Sequence, residues 1–174
     1  MPWGTEGTFK RLRPQPPHEM MVDVTHKDEV YREATATGKI ILRGSTIEAI
    51  RRGAVPKGDP LVISKAVAME AVKRTPYNLP FCHPIPITGI DVDVALEEDG
   101  VRVTVTVRAV ARTGVEMEAL SGVSAALLNV WDMVKALEKD EEGNYPWTRI
   151  SDIRVVRKVK RAAPEASPRA RTSA

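Results

Sequence analysis

The sequence predicts an α+β fold: an antiparallel sheet with helices packed on one face, in a ferredoxin-like arrangement. Two patterns carry that expectation. Residues 90–96 and 101–110 alternate apolar and polar side chains around Glu98-Asp99-Gly100, which is a β-hairpin signal. Met117, Leu120, Ser124, Leu127, Trp131 and Val134 recur at spacings of three and four, so residues 116–139 read as one long amphipathic helix. Strand and helix signals precede the hairpin, and a strand at 149–159 follows the helix.

Composition bounds the answer. With 174 residues, one domain is the default, and an apolar fraction of 43% suffices for a core. Aromatics are scarce at 5%, so Val, Ile, Leu and Ala fill the interior. A single cysteine, Cys82, excludes an internal disulfide and any multi-thiolate metal site, and fits a reducing compartment. No apolar run approaches the roughly 20 residues of a membrane span. The first residues lack the apolar stretch of a signal peptide. A cytoplasmic protein is expected. Of the net charge of +3, residues 154–174 supply +6, from seven Lys/Arg and Glu165, leaving −3 for residues 1–153. The basic character therefore reads as a tail, which could touch nucleic acid but is better explained as solvated.

Residues 1–20 hold prolines at positions 2, 14, 16 and 17 without periodicity and read as a disordered arm; 162–174 read likewise. The body, 21–161, reads as a single domain. MVDV (21–24) and the stretch 30–42 read as strands. Ser45-Thr46-Ile47-Glu48 fits a capping box, with Gly53 as a stop. Asp59-Pro60 offers an N-cap acceptor and a proline for the first helical position, and that helix runs to Lys73-Arg74. Residues 75–87 (TPYNLPFCHPIPI) contain four prolines, which argues against helix and inner strand alike.

Three polar segments are candidates for chemistry. Val55-Pro56-Lys57-Gly58-Asp59 is a turn at a helix N-terminus, readable as plain turn chemistry or as an anion cradle. Phe81-Cys82-His83-Pro84 is a loop stiffened by Pro80 and Pro84. One histidine beside one cysteine makes a poor metal site, and no metal ligand is assigned. Glu116 and Glu118 open the long helix, where the dipole favours acids. Farther along, Asp132 and Lys135 stand at i, i+3 in an otherwise apolar stretch, which predicts a partly buried ion pair of the kind that marks sites. The small residues Ala119, Ser121, Gly122, Ser124, Ala125 and Ala126 invite close approach by a neighbouring helix or a second subunit.

Together MVDV (21–24), YREA (31–34), KGD (57–59), AVKRT (71–75), LPFCHPIPI (79–87), TGVEMEAL (113–120) and WDMVKALEKD (131–140) resemble molybdenum cofactor biosynthesis protein C, the cyclic pyranopterin monophosphate synthase family. The resemblance implies a lyase that converts 3′,8-cyclo-7,8-dihydro-GTP into cyclic pyranopterin monophosphate with release of pyrophosphate. By position it implies catalytic roles for Asp132, Lys57 and Lys135. It implies substrate contacts from Phe81, Cys82, His83, Met117 and Glu118, with Glu116, Asp23 and Arg32 lining the pocket and Lys73 and Arg74 facing phosphates. It requires no cofactor of the chain and leaves magnesium on the triphosphate open. It points to a hexamer of three dimers, a small-molecule substrate, and neither membrane nor nucleic acid as partner. The chain departs from many bacterial members after the long helix: Tyr145-Pro146-Trp147 and ISDIRVVRKVKR replace a Gly/Lys-rich segment. The competing reading, a nucleic-acid-binding module using the basic C-terminal segment, leaves FCHP, TGVEMEAL and WDMVKA without a purpose.

Overall fold

The computed structural model describes residues 20–163. The expected arms lie outside this range except for Met20, Ala162 and Ala163. The elements run β1 (Val30–Ile41), α1 (Gly44–Arg51), α2 (Pro60–Lys73), α3 (Thr75–Asn78), β2 (Ile87–Glu97), β3 (Gly100–Ala111), α4 (Glu116–Glu138) and β4 (Arg149–Arg161). The sheet order is β2-β3-β1-β4, and every neighbouring pair is antiparallel. This is the expected α+β fold, with the ferredoxin-like split β-α-β order.

Strand alternation explains the two faces. Val101, Val103, Val105, Val107, Ala109 and Ala111 of β3, with Ala34, Ala36 and Ile40 of β1, are buried on the helix side. The other face carries Thr35–Thr106 and Thr37–Thr104 hydroxyl pairs at 2.8 and 3.2 Å, and ion pairs such as Arg108–Glu33. On α4 the buried stripe is Ala119, Val123, Ala126, Leu127, Val130 and Val134, the 3.6-residue period of a helix seated on a sheet. Each large apolar side chain so buried is worth about 1.5–3 kcal/mol.

Small residues set the closest approaches. A Cβ on Gly38 of β1 would lie 2.8 Å from Leu127 and 2.9 Å from Val123, so α4 crosses the sheet there. A Cβ on Gly122 would lie 2.9 Å from Val72 and 3.3 Å from the Ala68 carbonyl. The small-residue run of α4 thus seats α2 of the same chain at Gly122, whereas Ser121, Ser124 and Ala125 remain half-exposed. Asp59 caps α2 as expected, accepting from Leu61 N–H at 2.8 Å and Val62 N–H at 3.2 Å, with Pro60 first in the helix.

Several expectations need correction. MVDV (21–24) is irregular chain and has no ladder partner among the described residues. Thr75–Asn78 forms one helical turn despite Pro76, because the first turn needs no donor there. The capping box is absent: Arg43 is the N-cap of α1, and Ser45 and Glu48 lie within the helix. Gly53 does end that segment, with φ 66°. Five of the seven cations of 154–174 belong to β4 and not to a tail. Among the described residues no helix is long and apolar enough to cross a membrane.

Gly100 begins β3 with its Cα backed onto the neighbouring strand, where an added Cβ would meet the Ile40 carbonyl oxygen at 1.9 Å. Backbone cannot yield as a side chain can. Gly38→Ala is therefore expected to cost about 1–3 kcal/mol, typical of overpacking, and Gly100→Ala more. Urea denaturation of the two variants checks the order.

Candidate active site

The candidate residues collect at the two ends of α4. At the C-terminal end, Asp132 takes an ammonium on each oxygen. Lys57 Nζ donates to Oδ2 at 2.6 Å and to the Asp132 carbonyl at 3.1 Å, while Lys135 Nζ donates to Oδ1 at 2.7 Å. Lys57 arrives from the loop between α1 and α2, and Lys135 lies one turn beyond Asp132. Lys135 and then Lys57 hold the Asp132 carboxyl well below its ordinary range, at about 2. Asp132 in turn pushes Lys135 upward. The three side chains are 49%, 53% and 47% exposed, so the partly buried pair expected here is an open ionic cluster. The helix turns its apolar stripe to the sheet and leaves this face outside. Trp131 packs edge-on against Tyr145, with centroids 5.8 Å apart, and this aromatic pair adjoins the cluster.

The N-terminal end is a cavity of about 430 Å³, lined by Phe81, Cys82, His83, Met117 and Glu118 together with Val22, Lys27 and Thr113. The proline-stiffened loop thus delivers its three expected residues to the start of α4. His83 Nε2–H donates to the Val22 carbonyl at 2.8 Å; a carbonyl only accepts, so in the neutral ring the other nitrogen is the acceptor. Asp23, exposed beside it, accepts from Thr25 N–H at 2.8 Å; that bond, and weakly the charges of His26 and His83, lower its carboxyl. Glu118 is 3% exposed, and its Oε2 has no hydrogen-bond partner among the described residues. Burial, helped by the charge of Glu116, pushes its carboxyl above the usual range. Burial, and then Glu118, likewise push the Cys82 thiol up, which makes it a poor thiolate nucleophile.

An adjoining cavity of about 390 Å³ gathers Lys27, Arg32, Arg112 and Lys158 around Glu116. Glu116 pairs with Lys158 of β4. Arg32 is largely committed to structure, donating to the carbonyls of Ala111 and Arg112 at 3.4 and 3.1 Å. Lys73 lines a third cavity with Cys82 and Glu118. Arg74 lines none of these three: its guanidinium pairs with Glu70 at 2.5 Å on the outer face of α2.

The sequence model of the MoaC family matches residues 21–160, most of the chain. The chain belongs to the MoaC family. A relative from Archaeoglobus fulgidus is 58% identical over 140 residues, covering 80% of this chain and 90% of that protein. Relatives from Pyrococcus abyssi and Thermococcus kodakarensis are 54% and 55% identical over the same length, covering 88% and 90% of their own chains. All three bear the name probable cyclic pyranopterin monophosphate synthase.

In this member of the MoaC family, one chain gathers the expected residues as two groups, with two exceptions: Arg74, and Asp23, which lies exposed beside His83 and lines none of these cavities. Glu116 and Asp132 are 16 positions apart on an unbroken α4, about 24 Å along its axis. Sequence reasoning missed Lys27, and Lys158, which it placed in a strand but counted with the charge of a solvated tail. Lys158 stands opposite Ala34 of β1, beyond a register shift that skips Val156, so simple alternation along β4 gives the wrong face and carried no signal for it.

Because Glu118 is buried with a raised pKa, the folded chain holds a proton there that the unfolded chain has lost. The stability of the protein relative to Glu118→Gln is expected to be greatest at acid pH. It should fall as pH rises above the ordinary glutamate value of 4.5 through the raised one. Urea midpoints of both proteins at pH 4 and pH 8 check the sign; a pH-independent difference would contradict it.

Proposed function

We propose that this chain is a cyclic pyranopterin monophosphate synthase of molybdenum cofactor biosynthesis. It converts 3′,8-cyclo-7,8-dihydro-GTP into cyclic pyranopterin monophosphate and releases pyrophosphate. The observation that carries the reading is two lysines clamped on opposite oxygens of one aspartate in a MoaC family chain. Closing the cyclic phosphate forms one P–O bond and breaks the bond to pyrophosphate, so negative charge builds on the leaving group. Fixed ammonium groups meet that need.

The local electrostatics divide the roles. Asp132, held at about 2, takes up no proton near neutral pH and serves to fix the two ammoniums. Lys135, raised by Asp132, remains protonated and acts as an electrostatic group or proton donor. Glu118, raised by burial, is the carboxyl better suited than Asp132 to exchange a proton with the substrate. Lys27, Arg112 and Lys158 bind the phosphates in the hollow that Arg32 shapes through its carbonyl bonds, and Lys73 adds a cation in the third cavity. Reaction in the cytoplasm is part of the same proposal and rests on the single cysteine.

Lys57→Ala, Lys135→Ala and Asp132→Asn are each expected to lower turnover by about 10²-fold or more. The cluster is exposed, so the urea midpoint should not move. The assay is incubation with the cyclised GTP derivative, then oxidation and detection of a fluorescent pterin. Near-normal turnover in the three variants would remove the cluster from the chemistry.

The site is also proposed to be shared between chains, in a hexamer of three dimers. About 24 Å separates Glu116 from Asp132, more than a nucleotide spans unless extended, and α4 has no break that would fold the two together. A second chain bringing its α4 alongside antiparallel sets Glu116 of one near Asp132 of the other. Mixing inactive Glu116→Ala and Asp132→Ala chains under subunit exchange should then restore up to about half the sites. No recovery after proven exchange would mean a site built within one chain.

A further inference from the structure

Glu138 sits where helix physics disfavours it. It occupies the last turn of α4, at the negative end of the helix dipole, and is fully buried. Its partners all come from outside α4. The Arg43 backbone N–H donates to Oε1 at 3.1 Å and lies 3.4 Å from Oε2, and Thr148 Oγ1–H donates to Oε2. Arg43 is the N-cap of α1 and supplies no side-chain cap of its own. Glu138 therefore puts a carboxylate at the start of α1, where unpaired N–H groups and positive partial charge gather.

What α1 carries makes this contact matter. Ala54 N–H donates to the Ala49 carbonyl, Gly58 N–H donates to the Val55 carbonyl, and Val55 is buried in the core. The loop holding Lys57 is thereby bonded to the end of α1 and follows it. The α1–Lys57 segment meets α4 at two polar points, Glu138 at its start and Asp132 at its end. They are six residues apart on α4, or about 9 Å. Thr148, just before β4, fixes the Glu138 carboxylate from the third side.

We propose that Glu138 is a positioning residue that anchors the start of α1 to the end of α4 and so holds Lys57 against Asp132. The proposal rests on the reading of Lys57, Asp132 and Lys135 as the catalytic cluster.

The test follows the Asp132 carboxyl by ¹³C NMR titration in the full chain, alongside turnover. In Glu138→Ala, Asp132 should titrate above about 2, yet below its ordinary 3.8 because Lys135 remains. A Lys57→Ala chain marks the limit of that change. Turnover should fall about 10–100-fold through kcat more than KM, as for a misplaced group. Glu138→Gln keeps a carbonyl oxygen for the same donors and should restore both readings. Thr148→Val removes one hydroxyl without emptying the buried site, and should shift Asp132 in the same direction by less; it decides the matter where the alanine chain does not fold. An Asp132 titration unchanged from wild type in the folded variants overturns the proposal. A shifted titration with wild-type turnover upholds the positioning and overturns the catalytic reading of the cluster, so the two failures are distinct.

Discussion

The placement of the candidate site residues depends on the burial of one helix. The apolar stripe of α4 lies on β1 and β3 and against α2, and the crossing is close enough to require glycine at positions 38 and 122. A dry, close-packed middle has no room for unpaired charge. The charged groups of α4 are displaced to its two ends and its outer face, and most of the candidate site residues gather there.

The two ends have opposite electrostatic character. At the start of α4 a buried glutamate is pushed above its ordinary range beside a thiol that is also pushed up, next to a cationic hollow. At the far end an exposed aspartate is held down by two ammoniums. One end retains a proton where a free carboxylate would lose it; the other retains charge. Chemistry that needs both must bring the ends together, and a straight helix of 23 residues keeps them apart within one chain.

Among the described residues, four of the five cations of 154–161 have individual partners, Arg154 with Asp152 at 3.6 Å being the first. Arg157 meets Glu33 at 3.2 Å, Lys158 pairs with Glu116, and Arg161 stacks over Tyr31 at 4.4 Å. They line an edge strand, where charge discourages pairing with another sheet. This is the structural reason why most of a net charge that suggested a basic tail belongs to the folded body.

By itself the sequence determined the features whose physics is local. The hairpin around Glu98-Asp99-Gly100, the long helix and the Asp59-Pro60 cap each depend on neighbours within a few residues, and the pattern holds the same information as the fold. The seven family strings likewise named the side chains, because identity is a property of the chain. Only the tertiary structure decided how those side chains are used. MVDV alternates like a strand but has no ladder partner among the described residues. Ser45 resembles a cap, but the N-cap of α1 is Arg43, whose backbone N–H is held by Glu138, ninety-five residues away. Asp132 lies in an apolar stretch yet faces outward, because burial depends on which face of the helix the sheet takes. Lys57 and Asp132, seventy-five residues apart, meet at 2.6 Å. Contacts over such separations are set by how the elements pack, and local sequence carries no record of them.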